Sequence, residues 1–286
     1  MKPPPFDYAR PDSLDAAIAL LAAHSGDVKV IAGGQSLMPM LAFRLAAPQL
    51  LVDIGRIPGL KAITFTAEGV ALGALVRWCD IEHDARIATE QPLLAEAVRH
   101  VAHYQVRNRG TVGGSIAHAD PAAEMPAVAL ACDATIVAVG PRGSRDIAAA
   151  DFFTGALITA LAADEVITTV RLPAWPAQRR WAFEEFSRRK GDFALAGVAL
   201  YYDEAGDGAI KDPHIVGFGV AGTPVRLATA ENVLRDHVID GGLIAEAARV
   251  AADSVEVGAD IHAPADYRAA LLGVMLERAL WRAAGL

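Results

Sequence analysis

The sequence predicts an α+β protein in two parts, and three observations carry that prediction. Strand-like and helix-like runs alternate over residues 1 to about 55, which suits a sheet with helices packed against it. Beyond a break at Pro173 and Pro176, three strand-like runs are followed by three helical ones, the order of a segregated α+β module. Hydrophobic residues make up 53% of the 286 and charged residues 21%, so the chain can bury large cores; disordered and collagen-like classes are excluded. The expected domains are 1–175, with subdomains of about 1–55 and 56–175, and 176–286.

The elements follow from local patterns. Ser13 is placed to cap a helix whose apolar residues Leu14, Ile18 and Leu21 recur at i, i+4 and i+7, with Gly26 just past its end. Val28 to Ala32 reads as a strand halted by Gly33 and Gly34. Ser36 is the expected cap of a helix from Leu37 to Leu45, with Pro39 tolerated in its first turn. Leu50 to Ile54 is a further β-prone run. Leu60 to Thr66 and Val70 to Val76 flank Glu68-Gly69 as a hairpin. A helix is expected over Leu93 to His103, irregular chain over the glycine-rich Val106 to Ser115, and a helix over Pro121 to Ala131. Ala134 to Val139 and Glu165 to Leu172 read as strands. In the second domain the strands are Phe183 to Ser187, Ala196 to Tyr202 and Ile215 to Val220, with a turn at Gly206 to Gly208. The helices are Ala228 to Arg235, Leu243 to Val255 and Ala265 to Ala284.

Composition narrows the function. The formal charge is −8, which argues against a dedicated nucleic-acid binder, since phosphates call for a basic face. The longest uncharged stretch is 14 residues, Val30 to Phe43, short of the roughly 20 apolar residues a spanning helix needs. The start lacks the apolar core of a signal peptide, and Cys79 and Cys132 stand far apart, so a cytoplasmic location is expected. Two cysteines cannot hold an iron–sulfur cluster, which normally takes several thiolates.

Two segments stand out: Ala32-Gly33-Gly34-Gln35-Ser36-Leu37 and Thr111-Val112-Gly113-Gly114-Ser115. Glycine admits positive φ and close approach of a ligand to the backbone, and consecutive exposed N–H groups bind anions. Two such elements suit a diphosphate gripped from two sides; plain turns are the competing reading. Neither matches Gly-x-Gly-x-x-Gly or a pattern ending Gly-Lys-Ser/Thr, which disfavours ordinary NAD sites and P-loop hydrolysis. His100 and His103, three apart on the expected helix, lack an evident third zinc ligand. Ser115, His118 and Asp120 crowd into six residues, a spacing that rarely builds a hydrolytic triad. Arg107, Arg109, Arg188, Arg189 and Lys190 are either solvated surface or contacts to phosphate or to a partner.

The strings AGGQSLMPMLAFRL (32–45) and RNRGTVGGSIAHADPAAEMP (107–126) closely resemble the FAD-binding medium subunit of molybdenum hydroxylases. That family includes the flavoprotein subunit of carbon monoxide dehydrogenase and the flavin region of xanthine dehydrogenase. PFDYARPDSLDAAIALL near the start and SRRKGDFALAGVAL (187–200) extend the resemblance over most of residues 4–220. It implies a p-cresol methylhydroxylase-type FAD-binding domain of two α/β subdomains, followed by a small C-terminal domain of a three-stranded antiparallel sheet plus three helices. It also implies that Ala32 to Leu37, with Thr111, Gly113, Gly114 and Ser115, hold the FAD diphosphate. Asp120 and Glu124 are implied to bind ribityl or ribose hydroxyls, and Lys190 to approach the isoalloxazine edge. Position 193 is Phe where some relatives carry Tyr, so a hydroxyl contact there is absent. The implied activity is that of an electron-transfer oxidoreductase subunit with no catalytic acid or base of its own. The molybdenum cofactor would lie on a large partner subunit and 2Fe–2S clusters on a small one, with electrons passed on to an external acceptor. A stand-alone FAD oxidoreductase and a non-catalytic nucleotide-binding module are the alternatives.

Overall fold

The computed structural model describes residues 2–24 and 26–286. The chain opens with β1 (Asp7–Ala9), α1 (Leu14–Ala23), β2 (Val28–Ile31), α2 (Leu37–Ala42) and β3 (Leu50–Asp53). The three strands form a parallel sheet in the order β1-β3-β2. Ser13 caps α1 as expected, its Oγ accepting from the Ala16 N–H at 3.2 Å. Ala17, Ile18 and Leu21 of that helix bury against Val28, Leu50 and Val52. Helix α2 is shorter than expected. Arg44 adopts a positive φ of 59° just beyond it, which stops the helix before Leu45.

A second sheet is built from β4 (Ile63–Thr66), β5 (Gly69–Gly73), β6 (Thr135–Gly140), β7 (Gly143–Ala148) and β10 (Val166–Pro173), in the antiparallel order β4-β5-β10-β6-β7. The expected β4–β5 hairpin forms, and its turn needs glycine. Gly69 has φ +135°, and a Cβ there would lie 2.1 Å from the Leu172 carbonyl oxygen. Between β5 and β6 run α3 (Trp78–His83), α4 (Ala85–Glu90), α5 (Pro92–Val98), α6 (Tyr104–Arg107), α7 (Val112–His118) and α8 (Glu124–Ala131). After β7 come α9 (Ala149–Phe152) and the small pair β8 (Phe153–Gly155) and β9 (Ile158–Thr159). Met125 to Ala131 of α8 are all buried, the mark of a helix packed on every side.

Three sequence expectations need correction in this region. The helix expected over Leu93 to His103 ends at Val98, and Ala102 takes φ +41°. The segment expected to be irregular is helical at both ends: α6 takes in Val106 and Arg107, and α7 contains Gly113 and Gly114. Helices α3 and α4 and strand β7 carried no apolar period; β7, Gly-Ser-Arg-Asp-Ile-Ala, is an exposed edge strand whose charges protect it from further pairing.

The last part holds β11 (Arg180–Phe186), β12 (Ala196–Glu204), β13 (Ile210–Phe218) and β14 (Val225–Arg226) in one antiparallel sheet, followed by α10 (Ala228–Leu234), α11 (Gly241–Ser254) and α12 (Ala265–Ala284). The three expected strands are present, and the two-residue β14 adds a fourth. The sheet is covered on both faces. Ala182, Val198 and Leu200 pack on Ile244, Leu272 and Met275 of the C-terminal helices. Phe183, Tyr201, Val216 and Phe218 join the core formed by α5, α8 and the five-stranded sheet.

Buried Arg268 of α12 pins this module together. Its guanidinium donates to the carbonyls of Leu195 at 2.8 Å and Gly219 at 2.5 Å, and to Asp260 at 2.7 Å. The Gly219 N–H in turn donates to the Pro121 carbonyl at 2.9 Å, which ties the sheet to the chain before α8. Arg268→Leu leaves two buried carbonyls without donors, so it should destabilise by about 3 kcal/mol. The check is the shift of the urea midpoint at unchanged slope.

Candidate functional site

The first glycine segment leaves the carboxyl end of β2, the end at which open α/β sheets carry their ligands. Gly34 takes φ +72° there. At Gly33 a Cβ would lie 2.1 Å from the Arg109 carbonyl oxygen and 3.0 Å from Gly110 Cα, so the loop runs directly against the chain that leads into the second glycine segment. Among the described residues, the N–H groups of Gly33, Gly34, Gln35 and Ser36 have no protein acceptor. The Gln35 Nε2 folds back to donate to the Gly33 carbonyl at 3.2 Å. Ser36 is itself in the αR region and makes no cap hydrogen bond, so it does not cap α2 as expected. The ligand-binding potential therefore sits in the loop amides rather than in the six-residue helix.

Those amides border a surface cleft of about 480 Å³ lined by Tyr8, the segment Ile31 to Gln35, Met38, Pro39, Asp53 and Arg109. Its acidic member is already engaged. Asp53 accepts from the Tyr8 hydroxyl and from the Gly55 N–H at 2.7 Å, and pairs with Arg10 at 3.2 Å. Arg109 is exposed and forms no ion pair among the described residues. The open amides of Gly33, Gly34 and Gln35 and an unengaged cation on one cleft make an anion site.

The second glycine segment meets the first but contributes differently. Thr111 caps α7, its Oγ1 accepting from the Gly114 N–H at 3.1 Å. The Val112, Gly113 and Ser115 N–H groups donate to the carbonyls of Val76, Ala74 and Thr111. The amides are thus engaged within the protein, unlike those of the first segment, and the glycines serve close packing. A Cβ on Gly113 would lie 2.5 Å from the Ala74 Cβ, and one on Gly114 would lie 3.9 Å from the Ala32 Cβ. A Gly114 Cβ would also sit 2.8 Å from Thr111 Oγ1, so a branched residue there disturbs the cap as well as any ligand.

Farther along the same stretch, Asp120 accepts from the Ala122 N–H at 2.9 Å, and Glu124 stands in the first turn of α8. Glu185 of β11, which the sequence reading did not single out, joins them; only its position facing the first domain brings it there. Its side chain is 3% exposed, and its Oε2 has no hydrogen-bond partner. Burial pushes the Glu185 carboxyl well up, and the facing Glu124 adds to it. Burial likewise raises Glu124, with Asp120 adding a further rise. His100 packs against Phe183 with ring centroids 5.0 Å apart and the rings tilted by 53°, and burial holds its imidazole below the ordinary value. Lys190 is exposed on the loop after β11 and faces His100 electrostatically.

The remaining candidates separate. His100 lies beyond the end of α5 and His103 precedes α6, so they share no helix face. No trio of His, Cys, Asp or Glu among the described residues is placed to hold a metal ion. Arg107 is structural, reaching Glu82 at 3.0 Å and the carbonyls of Val101 and Ala102. Among the described helices, none is long and apolar enough to cross a membrane.

Known proteins resemble this chain along its whole length. Residues 4–175 match the FAD binding domain in molybdopterin dehydrogenase, and residues 181–283 match the CO dehydrogenase flavoprotein C-terminal domain. The chain is 41% identical over 283 residues to the 6-hydroxypseudooxynicotine dehydrogenase complex subunit alpha of Paenarthrobacter nicotinovorans, covering 99% of this chain and 96% of that one. It is 38% identical over 284 residues to the carbon monoxide dehydrogenase medium chain of Hydrogenophaga pseudoflava, covering 98% and 97%. The solved carbon monoxide dehydrogenase of Hydrogenophaga pseudoflava superposes with a TM-score of 0.97 at 39% identity, covering 100% of this chain and 99% of that chain. Quinoline 2-oxidoreductase from Pseudomonas putida 86 gives a TM-score of 0.94 at 39% identity, with the same coverage.

The raised carboxyls set a pH dependence. In the folded chain Glu124 and Glu185 hold protons that the unfolded chain releases near pH 4.5, so the folded state binds more protons and stability falls as pH rises. Burial is the main cause of both rises; Asp120 adds to that of Glu124, and Glu124 to that of Glu185. The melting temperature of the FAD-free chain should decline between about pH 5 and about pH 9, and Glu185→Gln should flatten that decline. Thermal melts across that range check both.

Proposed function

The chain belongs to the FAD-binding medium subunits of molybdenum hydroxylases, and from that membership we propose that it is the electron-carrying flavoprotein subunit of an oxidoreductase complex. The observation that carries this reading is the run of unengaged amides from Gly33 to Ser36, of which Gly33, Gly34 and Gln35 line a cleft that Arg109 also lines. A diphosphate is the part of FAD such a cradle fits. Its charge is met by donors that are fixed before binding, and Asp53, the acidic residue of the cleft, is already neutralised by Arg10 and Tyr8. Gly113, Gly114 and the Thr111 cap hold the second segment against the first, and the Ser115 hydroxyl lies on the same helix.

Bound FAD takes up electrons singly and gives them up in pairs, and the redox chemistry is the cofactor's own. The chain binds and orients it. Ala32 to Leu37 form the floor under the diphosphate, and Asp120 and Glu124 accept from sugar hydroxyls, which as neutral donors suit carboxyl partners. Lys190 supplies positive charge at the ring edge. No side chain is required as an acid or base. A molybdenum cofactor on a large partner subunit would carry out substrate oxidation, and 2Fe–2S clusters on a small one would supply the electrons. The two free cysteines here, Cys79 and Cys132, are too few for a cluster, and they suit the reducing cytoplasm proposed as its location.

The purified full chain should be yellow, with a flavin spectrum, and should not turn over simple electron donors by itself. Gln35→Glu keeps the side chain's shape but sets a carboxylate on the open amides, so the FAD Kd should rise about tenfold, roughly 1.4 kcal/mol, with the melting temperature of the FAD-free chain unchanged. Glu124→Ala should weaken FAD binding by about 1–3 kcal/mol. Flavin fluorescence titration reads both, and a Gln35→Glu chain with wild-type affinity would remove the diphosphate assignment.

A further inference from the structure

Glu185 has a position that the fold alone does not account for. It alternates along β11 with Phe183, on the sheet face that meets the core of the first domain. Its side chain is 3% exposed, and Oε2 finds no partner: the nearest nitrogen, His100 Nδ1, is 4.0 Å away, beyond hydrogen-bond reach. Burying a carboxyl oxygen without a partner costs stability, and native chains seldom keep such a group without a use for it. Across from it stands Glu124, with Asp120 beyond. Glu124 thus neighbours both Glu185 and Asp120, and a run of carboxyls repels a phosphate. A pair of neighbouring hydroxyls suits them, because a hydroxyl donates to an ionised carboxylate and accepts from a protonated one.

We propose that Glu185 is a binding residue of the cofactor pocket, directing its open Oε2 to the vicinal hydroxyls of bound FAD and closing a three-carboxyl wall with Asp120 and Glu124. The proposal rests on the FAD reading above and names a contact from the C-terminal module, so that the cofactor's sugar bridges the two parts of the chain.

Glu185→Leu and Glu185→Gln in the full chain, stripped of flavin, test it. Glu185→Leu should raise the FAD Kd at least tenfold. Glu185→Gln should change it less than threefold, because the carboxamide is isosteric and both donates and accepts. The FAD-free Glu185→Leu chain should melt no lower than wild type, since the substitution removes a buried oxygen that nothing satisfies. Competition by ADP, which carries the ribose but no ribityl chain, assigns the hydroxyls: a matching loss of ADP affinity points to the ribose, and a loss confined to FAD points to the ribityl chain. Wild-type FAD affinity in Glu185→Leu overturns the proposal while leaving the FAD reading intact. So does a lowered melting temperature of the FAD-free variant, which would make Glu185 a structural residue. A wild-type chain that binds no FAD would remove the underlying reading itself.

Discussion

The contact between Gly33 and the Arg109–Gly110 backbone is the constraint on which the site depends. Two chain segments about 75 residues apart approach so closely that a single Cβ would overlap a carbonyl oxygen at 2.1 Å. That contact sets the parallel sheet of the first 55 residues beside the helices of the next subdomain. The amides from Gly33 to Ser36 have no acceptor in the protein, and Gly33, Gly34 and Gln35 line the cleft. Gly113 against Ala74 and Gly114 near Ala32 extend the same packing. Glycine is needed at these places for what it lacks, a side chain between two backbones.

The two glycine segments look alike on paper and differ in the fold. Around Gly33 the amides are open; around Gly113 they are closed off by Val76, Ala74 and the Thr111 cap. One segment presents donors and the other supports it. This division explains how a chain of net charge −8 maintains an anion site. Local donors and Arg109 fix the potential in the cleft, while the carboxyls gather elsewhere, at the junction of β11 with the first domain. A sheet buried on both faces needs apolar residues on both; β11 turns Trp181 and Phe183 to the inner face, where Glu185 is the one carboxyl it carries.

Much of the fold was legible because its elements are short-range consequences of sequence. Ser13 and the Leu14, Ile18, Leu21 stripe define α1; Glu68-Gly69 defines the β4–β5 turn; the long apolar stripe from Ala265 to Ala284 defines α12 to the residue. The misses have physical causes. Helices α3 and α4 are short and charged, so no apolar period announces them. Helix α7 was hidden because its glycines weigh against a helix by propensity, and packing on Ala74 overrides propensity. Ser36 has the right chemistry for a cap but the wrong dihedrals, φ −99° and ψ −47°.

By itself, the sequence determined the family, the elements that local caps and apolar periods announce, such as α1 and α12, and the two glycine strings, because each is written in contiguous residues. Only the tertiary structure decided which string keeps its amides free, that Arg109 and not Arg107 faces the cleft, and that Glu185 meets Glu124 across the junction of the two parts. Those outcomes depend on which groups the fold brings within hydrogen-bonding distance and which it shuts away from water. Residues distant along the chain set both, and no local pattern records them.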